Sequence, residues 1–124
     1  VLPSPVRPAS PSPTPSADVP TVDVRAAVRL VLSHCRAVKD QGVYDFVDTH
    51  PQTWGQWADE VNGMREMLSE TSPGTDSGTV DCLAAESVYW FIRLQMKLID
   101  GDTYRERLHG PGGIWDRLRK GVKA

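Results

Sequence analysis

Cysteine, histidine and long apolar runs are all scarce in this chain, and each shortage removes a class of protein. Two cysteines, Cys35 and Cys82, cannot build a disulfide framework, and without CxxC spacing they do not read as zinc ligands. Each falls at or near the apolar side of an expected helix, so both are expected to be buried free thiols, with one disulfide between two helices as the alternative. His34, His50 and His109 stand on three separate elements with no second ligand type at short spacing, so no metal site is expected. There is no GxSxG elbow and no Gly-rich phosphate loop, since GPGG at 110–113 lacks a following Lys-Ser or Lys-Thr. No paired-carboxylate motif with a base-like neighbour stands out either. These absences favour a protein that is not an enzyme and needs no cofactor.

The longest apolar stretch, CLAAESVYWFIRLQMKL at 82–98, is interrupted by Glu86, Arg93 and Lys97. A membrane-spanning helix needs about 20 predominantly apolar residues. No transmembrane segment is therefore expected. No basic n-region followed by an apolar stretch precedes residue 21, so no secretory signal is read, and an intracellular chain is favoured.

What is present divides the chain in two. Residues 1–20, VLPSPVRPASPSPTPSADVP, hold seven of the ten prolines, and proline both fixes φ and removes the donor N–H. This segment is expected to be a disordered Pro/Ser-rich linker or tail. It contains two PxxP spacings, at 5–8 and 8–11, and Ser-Pro or Thr-Pro steps at Ser4, Ser10, Ser12 and Thr14. Residues 21–124 then form one domain of ordinary globular composition, 40% hydrophobic and 24% charged.

Within that domain the apolar residues recur with helical periodicity. After Asp23, a plausible N-cap, Val24, Ala27, Val28, Val31, Leu32, Cys35 and Val38 share one face, and Gly42 is expected to close the helix. A short turn at 43–48 should end at His50-Pro51, with Pro51 opening the next helix. There Trp54, Trp57, Ala58, Val61, Met64, Met67 and Leu68 follow helical spacing, and TSPGTDSG at 71–78 is a loop. The apolar run belongs to a third long helix over about 79–100. Its charged residues form one narrow stripe, and the remainder of its circumference is apolar, as befits the central element of a bundle. Gly101 should stop it. A short helix and a terminal one carrying Ile114, Trp115 and Leu118 follow. The fold class is all-α: a compact bundle of three long and two or three short helices around the central apolar helix, preceded by the disordered Pro-rich segment.

Charge is distributed unevenly although the net value is only -2. From Asp40 to Glu86 there are ten acidic residues and one basic residue, Arg65. The first helix instead carries Arg25, Arg29, Arg36 and Lys39, and the C-terminal segment carries Arg117, Arg119 and Lys120 beside Trp115. The leading expectation is a non-catalytic protein-interaction or assembly module, an adaptor or virion-type structural domain on a flexible tether. Its partner or second copy would meet the acidic patch Asp59, Glu60 and Glu66 together with Tyr89 and Trp90 on the central helix. A second expectation uses Arg25, Arg29, Arg36, Lys39, Trp115, Arg117, Arg119 and Lys120 to hold nucleic acid or an anionic membrane surface. Against it stands a sequence pI near 5.9.

One short motif adds a third reading. Arg29-Leu30-Val31-Leu32-Ser33-His34 has the Arg, four residues, His spacing of the HEPN ribonucleases, and resembles that family over six residues. The resemblance implies an all-helical dimer in which the arginine stabilises charge on an RNA phosphate and the histidine serves as acid or base.

Overall fold

The computed structural model describes residues 21–120. The Pro-rich segment 1–20 and the last four residues lie outside the described residues, so the expectations placed on the leader concern a part that is not described. Among the described residues the chain is helical and contains no strand: α1 (Val24–Ala37), α2 (Gln41–Asp48), a 3-10 turn at Pro51–Thr53, α3 (Trp54–Thr71), α4 (Ser77–Gln95), α5 (Gly101–His109) and α6 (Ile114–Arg119). Three helices are long and three are short, as the periodicity predicts.

Four of these helices start by one device. Asp23, Asp40, Asp76 and Asp100 each accept a hydrogen bond from a backbone N–H three residues on, at Ala26, Val43, Thr79 and Thr103. An aspartate N-cap satisfies a donor that the helix cannot, and such a cap contributes about 1 kcal/mol.

Helix ends are where the structure departs from the sequence reading. Gly42 does not close α1; it sits in the first turn of α2. The stop comes at Lys39, whose φ of 61° is left-handed, with Lys39 N–H bonded to Arg36 O and Asp40 N–H to Cys35 O. This is the Schellman pattern, made by lysine instead of glycine. Lys97, φ 64°, ends α4 in the same way through Arg93 O and Leu94 O. Helix α4 thus stops at Gln95, five residues before the expected end, and Leu98 is left half in solvent. Asp100, expected inside that helix, caps α5 instead.

Helix α4 contacts all five other helices, and α1, α3 and α4 pack pairwise as the main body of the bundle. The core comprises Ala27, Val28, Val31 and Cys35 of α1, Trp57, Val61 and Leu68 of α3, and Val80, Ala84, Val88 and Ile92 of α4. Burying each of the larger apolar side chains contributes about 1.5–3 kcal/mol. Trp57 also donates its indole N–H to Gln95 Oε1 at 2.8 Å, which ties α3 to the end of α4. Among the described residues no helix is long and apolar enough to cross a membrane.

The apolar stripes shrink at their ends. Val24 and Val38 of α1 and Met67 of α3, all expected on the inner face, are exposed. On α3 the inner face takes Arg65 in their stead. That guanidinium is 5% exposed, and its Nε donates to Asp81 Oδ1 of α4 at 2.6 Å. Cys35 is buried as expected, but Cys82 is exposed, and both thiols are free, which removes the interhelical disulfide. Ahead of α1, Val22 is held by Asn62 of α3: its N–H donates to Asn62 Oδ1 and its carbonyl accepts from Asn62 Nδ2, both at 2.9 Å.

The last turn needs glycine. Gly112 has φ 74°, and a Cβ on Gly113 would stand 2.8 Å from Arg107 O and 2.9 Å from Gly110 O. This corner lets α6 fold back, burying Ile114 and Leu118.

Candidate functional site

Two exposed helix faces and one internal polar seam contain nearly all of the expected site residues. On α1, Arg25, Arg29, Arg36 and Lys39 are all exposed. Arg36 donates to the Tyr44 hydroxyl at 3.0 Å and lies over that ring at 5.4 Å, so its guanidinium is oriented along the outside of α1. Arg36 and Lys39 also rim a hollow of about 440 Å³ floored by Cys35 and Asp40. Burial pushes the Cys35 thiol up to about 12, with Asp40 adding to the shift, so the floor presents a thiol and not a nucleophilic thiolate.

On α3, Asp59, Glu60 and Glu66 are exposed, together with Gly63, Met67 and Glu70. They form the outward face of an 18-residue helix whose opposite face is in the core. At its centre, a Cβ on Gly63 would meet nothing within 4 Å.

Of the C-terminal basic residues, Arg119 and Lys120 are exposed and Arg117 is half-buried. Arg117 turns inward and donates to Glu86 Oε2 at 2.5 Å. Arg119 and Lys120 reach Asp116 at 3.4 and 3.2 Å. Trp115 is half-buried with its ring parallel to His109, centroids 6.3 Å apart. Each of these three cations sits beside a carboxylate, and Arg119 and Lys120 keep most of their side chains in solvent.

Tyr89 and Trp90, expected to meet a partner, belong instead to the polar seam. Tyr89 is 6% exposed, and its hydroxyl donates to Asp40 Oδ2 at 2.6 Å. Arg93 donates to the same oxygen at 2.7 Å. Trp90 is half-buried, donates to Glu86 Oε2 at 3.3 Å, and lies beneath the guanidiniums of Arg107 and Arg93 at 4.8 and 5.6 Å. The seam runs from Asp40 through Arg93 and Trp90 to Glu86 and Arg117, joining the α1–α2 corner to α4 and α6. Glu86 and Arg93 read as part of a polar stripe on α4; their charged partners lie 31 and 53 positions away, beyond the reach of any local pattern.

Burial sets the acidities along this seam. Burial works against the ionised form of Asp40, yet the Tyr89 hydroxyl, the Val43 N–H and Arg93 outweigh it and hold the carboxyl below the usual range. Burial and the bond to Asp40 push Tyr89 up to about 12. Burial, opposed by Glu86 and reinforced by Arg117, holds His34 below the ordinary imidazole range.

The Arg29 and His34 side chains do not converge. Five residues along a helix separate them by about 140°. Arg29 borders a shallow hollow with Val22, Ala26, Leu30, Ser33 and Asp81, whereas His34 is half-buried with its ring edge-on to Tyr89 at 4.9 Å. The phosphate-cleaving pair implied by the ribonuclease resemblance is not assembled within one chain. Among the described residues no group of three or more histidine, cysteine or acidic side chains is placed to hold a metal ion. Comparison with protein-family models, with curated proteins and with solved structures finds no match to this chain.

Proposed function

We propose that the domain is a non-catalytic protein-interaction module, and that the outward face of α3 bearing Asp59, Glu60 and Glu66 is the surface it offers to a basic partner. The observation that carries this reading is Gly63 at the middle of that face. Glycine inside a helix costs about 1 kcal/mol relative to alanine, and a Cβ at this position would meet nothing within 4 Å. The open backbone there lets a partner approach closely between the carboxylates. Met67, exposed beside them, supplies an adaptable apolar contact. The acidic field of the face favours encounter with a cationic surface.

The nucleic-acid alternative retains the exposed Arg25, Arg29, Arg36, Lys39, Arg119 and Lys120 but loses Arg117 to Glu86. The two readings part in one titration. Backbone amide shifts would be followed while a lysine-rich peptide, and separately a short DNA duplex, is added at low salt. The peptide is expected to move amides across residues 56–70, and the double variant Asp59→Lys, Glu60→Lys to abolish the effect. Silence along α3, or a duplex footprint along α1 alone, would overturn the proposal in favour of the alternative.

A further inference from the structure

We infer that the partner of the α3 face is the α1 face of a second copy of this chain, laid antiparallel upon it. This rests on the proposal that α3 is an interaction surface and adds the identity of what covers it.

The inference comes from matching two faces position by position. On α1, Arg25, Arg29, Leu32 and Arg36 are spaced by four, three and four residues. On α3, Asp59, Gly63, Glu66 and Glu70 have the same spacing. That spacing keeps four side chains within one narrow line along a helix, about 16 Å from first to last. The three arginines are exposed and Leu32 is half-buried; all four residues of the α3 line are exposed. Glu66 and Glu70 also hold contacts within the chain, and both remain at the surface.

Run antiparallel, the lines place Arg25 opposite Glu70, Arg29 opposite Glu66, and Arg36 opposite Asp59. Leu32 then falls opposite Gly63, where the open backbone receives a side chain. Run parallel, Leu32 would face Glu66 and Arg29 would face Gly63, so two of the four positions lose their match. Charge and shape therefore select one direction. The arginines of α1 and the whole α3 line are exposed and Leu32, packed in part on its own core, keeps an outer edge, while α1 and α3 pack on each other through different faces, so these two lines do not meet within one chain.

Exposed ion pairs are individually weak, so the association belongs to high protein concentration and low salt. Because the two lines are different surfaces, the contact either closes as a symmetric pair or continues head to tail.

Sedimentation velocity over a concentration series tests this. At roughly 0.01 M salt, where screening extends over about 30 Å, the weight-average sedimentation coefficient of the full chain should rise with concentration; near 1 M salt it should return to the monomer value. The variant Arg29→Glu, Arg36→Glu should be monomeric, as should Asp59→Arg, Glu66→Arg. An equimolar mixture of the two should associate again, since the acidic α3 of the first meets the basic α1 of the second and the swapped lines meet as well. All four positions are exposed, and thermal unfolding of each variant verifies that the fold is kept.

A chain that stays monomeric while its α3 amides still respond to a lysine-rich peptide would overturn self-association and leave the interaction reading in place. Association indifferent to both charge reversals, or not restored by mixing, would overturn the pairing of these two lines. A monomer whose α3 is also silent to peptide would remove both proposals.

Discussion

The Tyr89 hydroxyl donates to Asp40 across 49 positions of sequence, and Arg93 converges on the same carboxylate oxygen. Asp40 also caps α2 through Val43 N–H, so one side chain holds the α1–α2 corner against α4. Asp40→Ala should destabilise the domain by about 2–4 kcal/mol, combining a lost cap with a partly buried guanidinium left without its carboxylate. Tyr89→Phe should cost about 0.5–1.5 kcal/mol. Urea unfolding of both single variants and the double variant should give less than the sum, because the two share one bond.

The same corner sets the pH response. Asp40 and His34 both have lowered pKa values in the folded chain, so the unfolded chain binds more protons in acid. Their stabilising contributions are present above the unfolded values, near 6.5 for histidine and 3.9 for aspartate, and are lost as pH falls through the folded ones. Tyr89 behaves oppositely. Its contribution is complete below about 10 and disappears as pH rises toward about 12. Urea midpoints measured from pH 3 to pH 11 should fall at both ends, and His34→Gln should flatten the limb just below pH 6.5.

The two thiols should differ sharply. Cys82 is exposed, whereas Cys35 is buried with its thiol pushed up to about 12. A thiol-specific chromogenic reagent at neutral pH should label one cysteine per chain quickly and the second only as the chain unfolds. Cys82→Ser should remove the fast phase.

Left-handed lysines offer a stabilising change. An L-residue in that region costs roughly 1–2 kcal/mol, part of which glycine recovers at the expense of a more flexible unfolded chain. Lys97→Gly should therefore stabilise the domain by about 0.5–1 kcal/mol in thermal or urea unfolding, while Gly112→Ala, at φ 74°, should destabilise it.

Spacing alone was enough to find the long helices, because Ala27, Val28, Val31 and Cys35, or Trp57, Ala58, Val61 and Leu68, repeat with the helix itself. The central place of α4 was legible in the same way. Helix ends were not, since a lysine in the left-handed region leaves no compositional trace and Gly42 is the better stop by composition. Arg65 and Tyr89 escaped for another reason: a buried cation and a buried hydroxyl each depend on an acid from a different helix, Asp81 or Asp40. Exposure of the Asp59, Glu60 and Glu66 face was readable because these carboxylates fall opposite the apolar positions Trp57, Val61, Met64 and Leu68; Met67, exposed beside them, was not. The inward turn of Arg117 was not readable either, since it required knowing that α6 folds back toward Glu86.

The clasp between Val22 and Asn62 decides how the domain meets mechanical load. A pull applied from the N-terminal side reaches the middle of α3 through two hydrogen bonds between the Val22 backbone and the Asn62 side chain before it reaches the first turn of α1. Tension is thus shared between two packed helices in shear, and α1 does not peel from its end. In a force-spectroscopy trace, Asn62→Ala should lower the rupture force for N-terminal pulling, beyond the roughly 1–2 kcal/mol that two part-buried hydrogen bonds contribute to chemical stability.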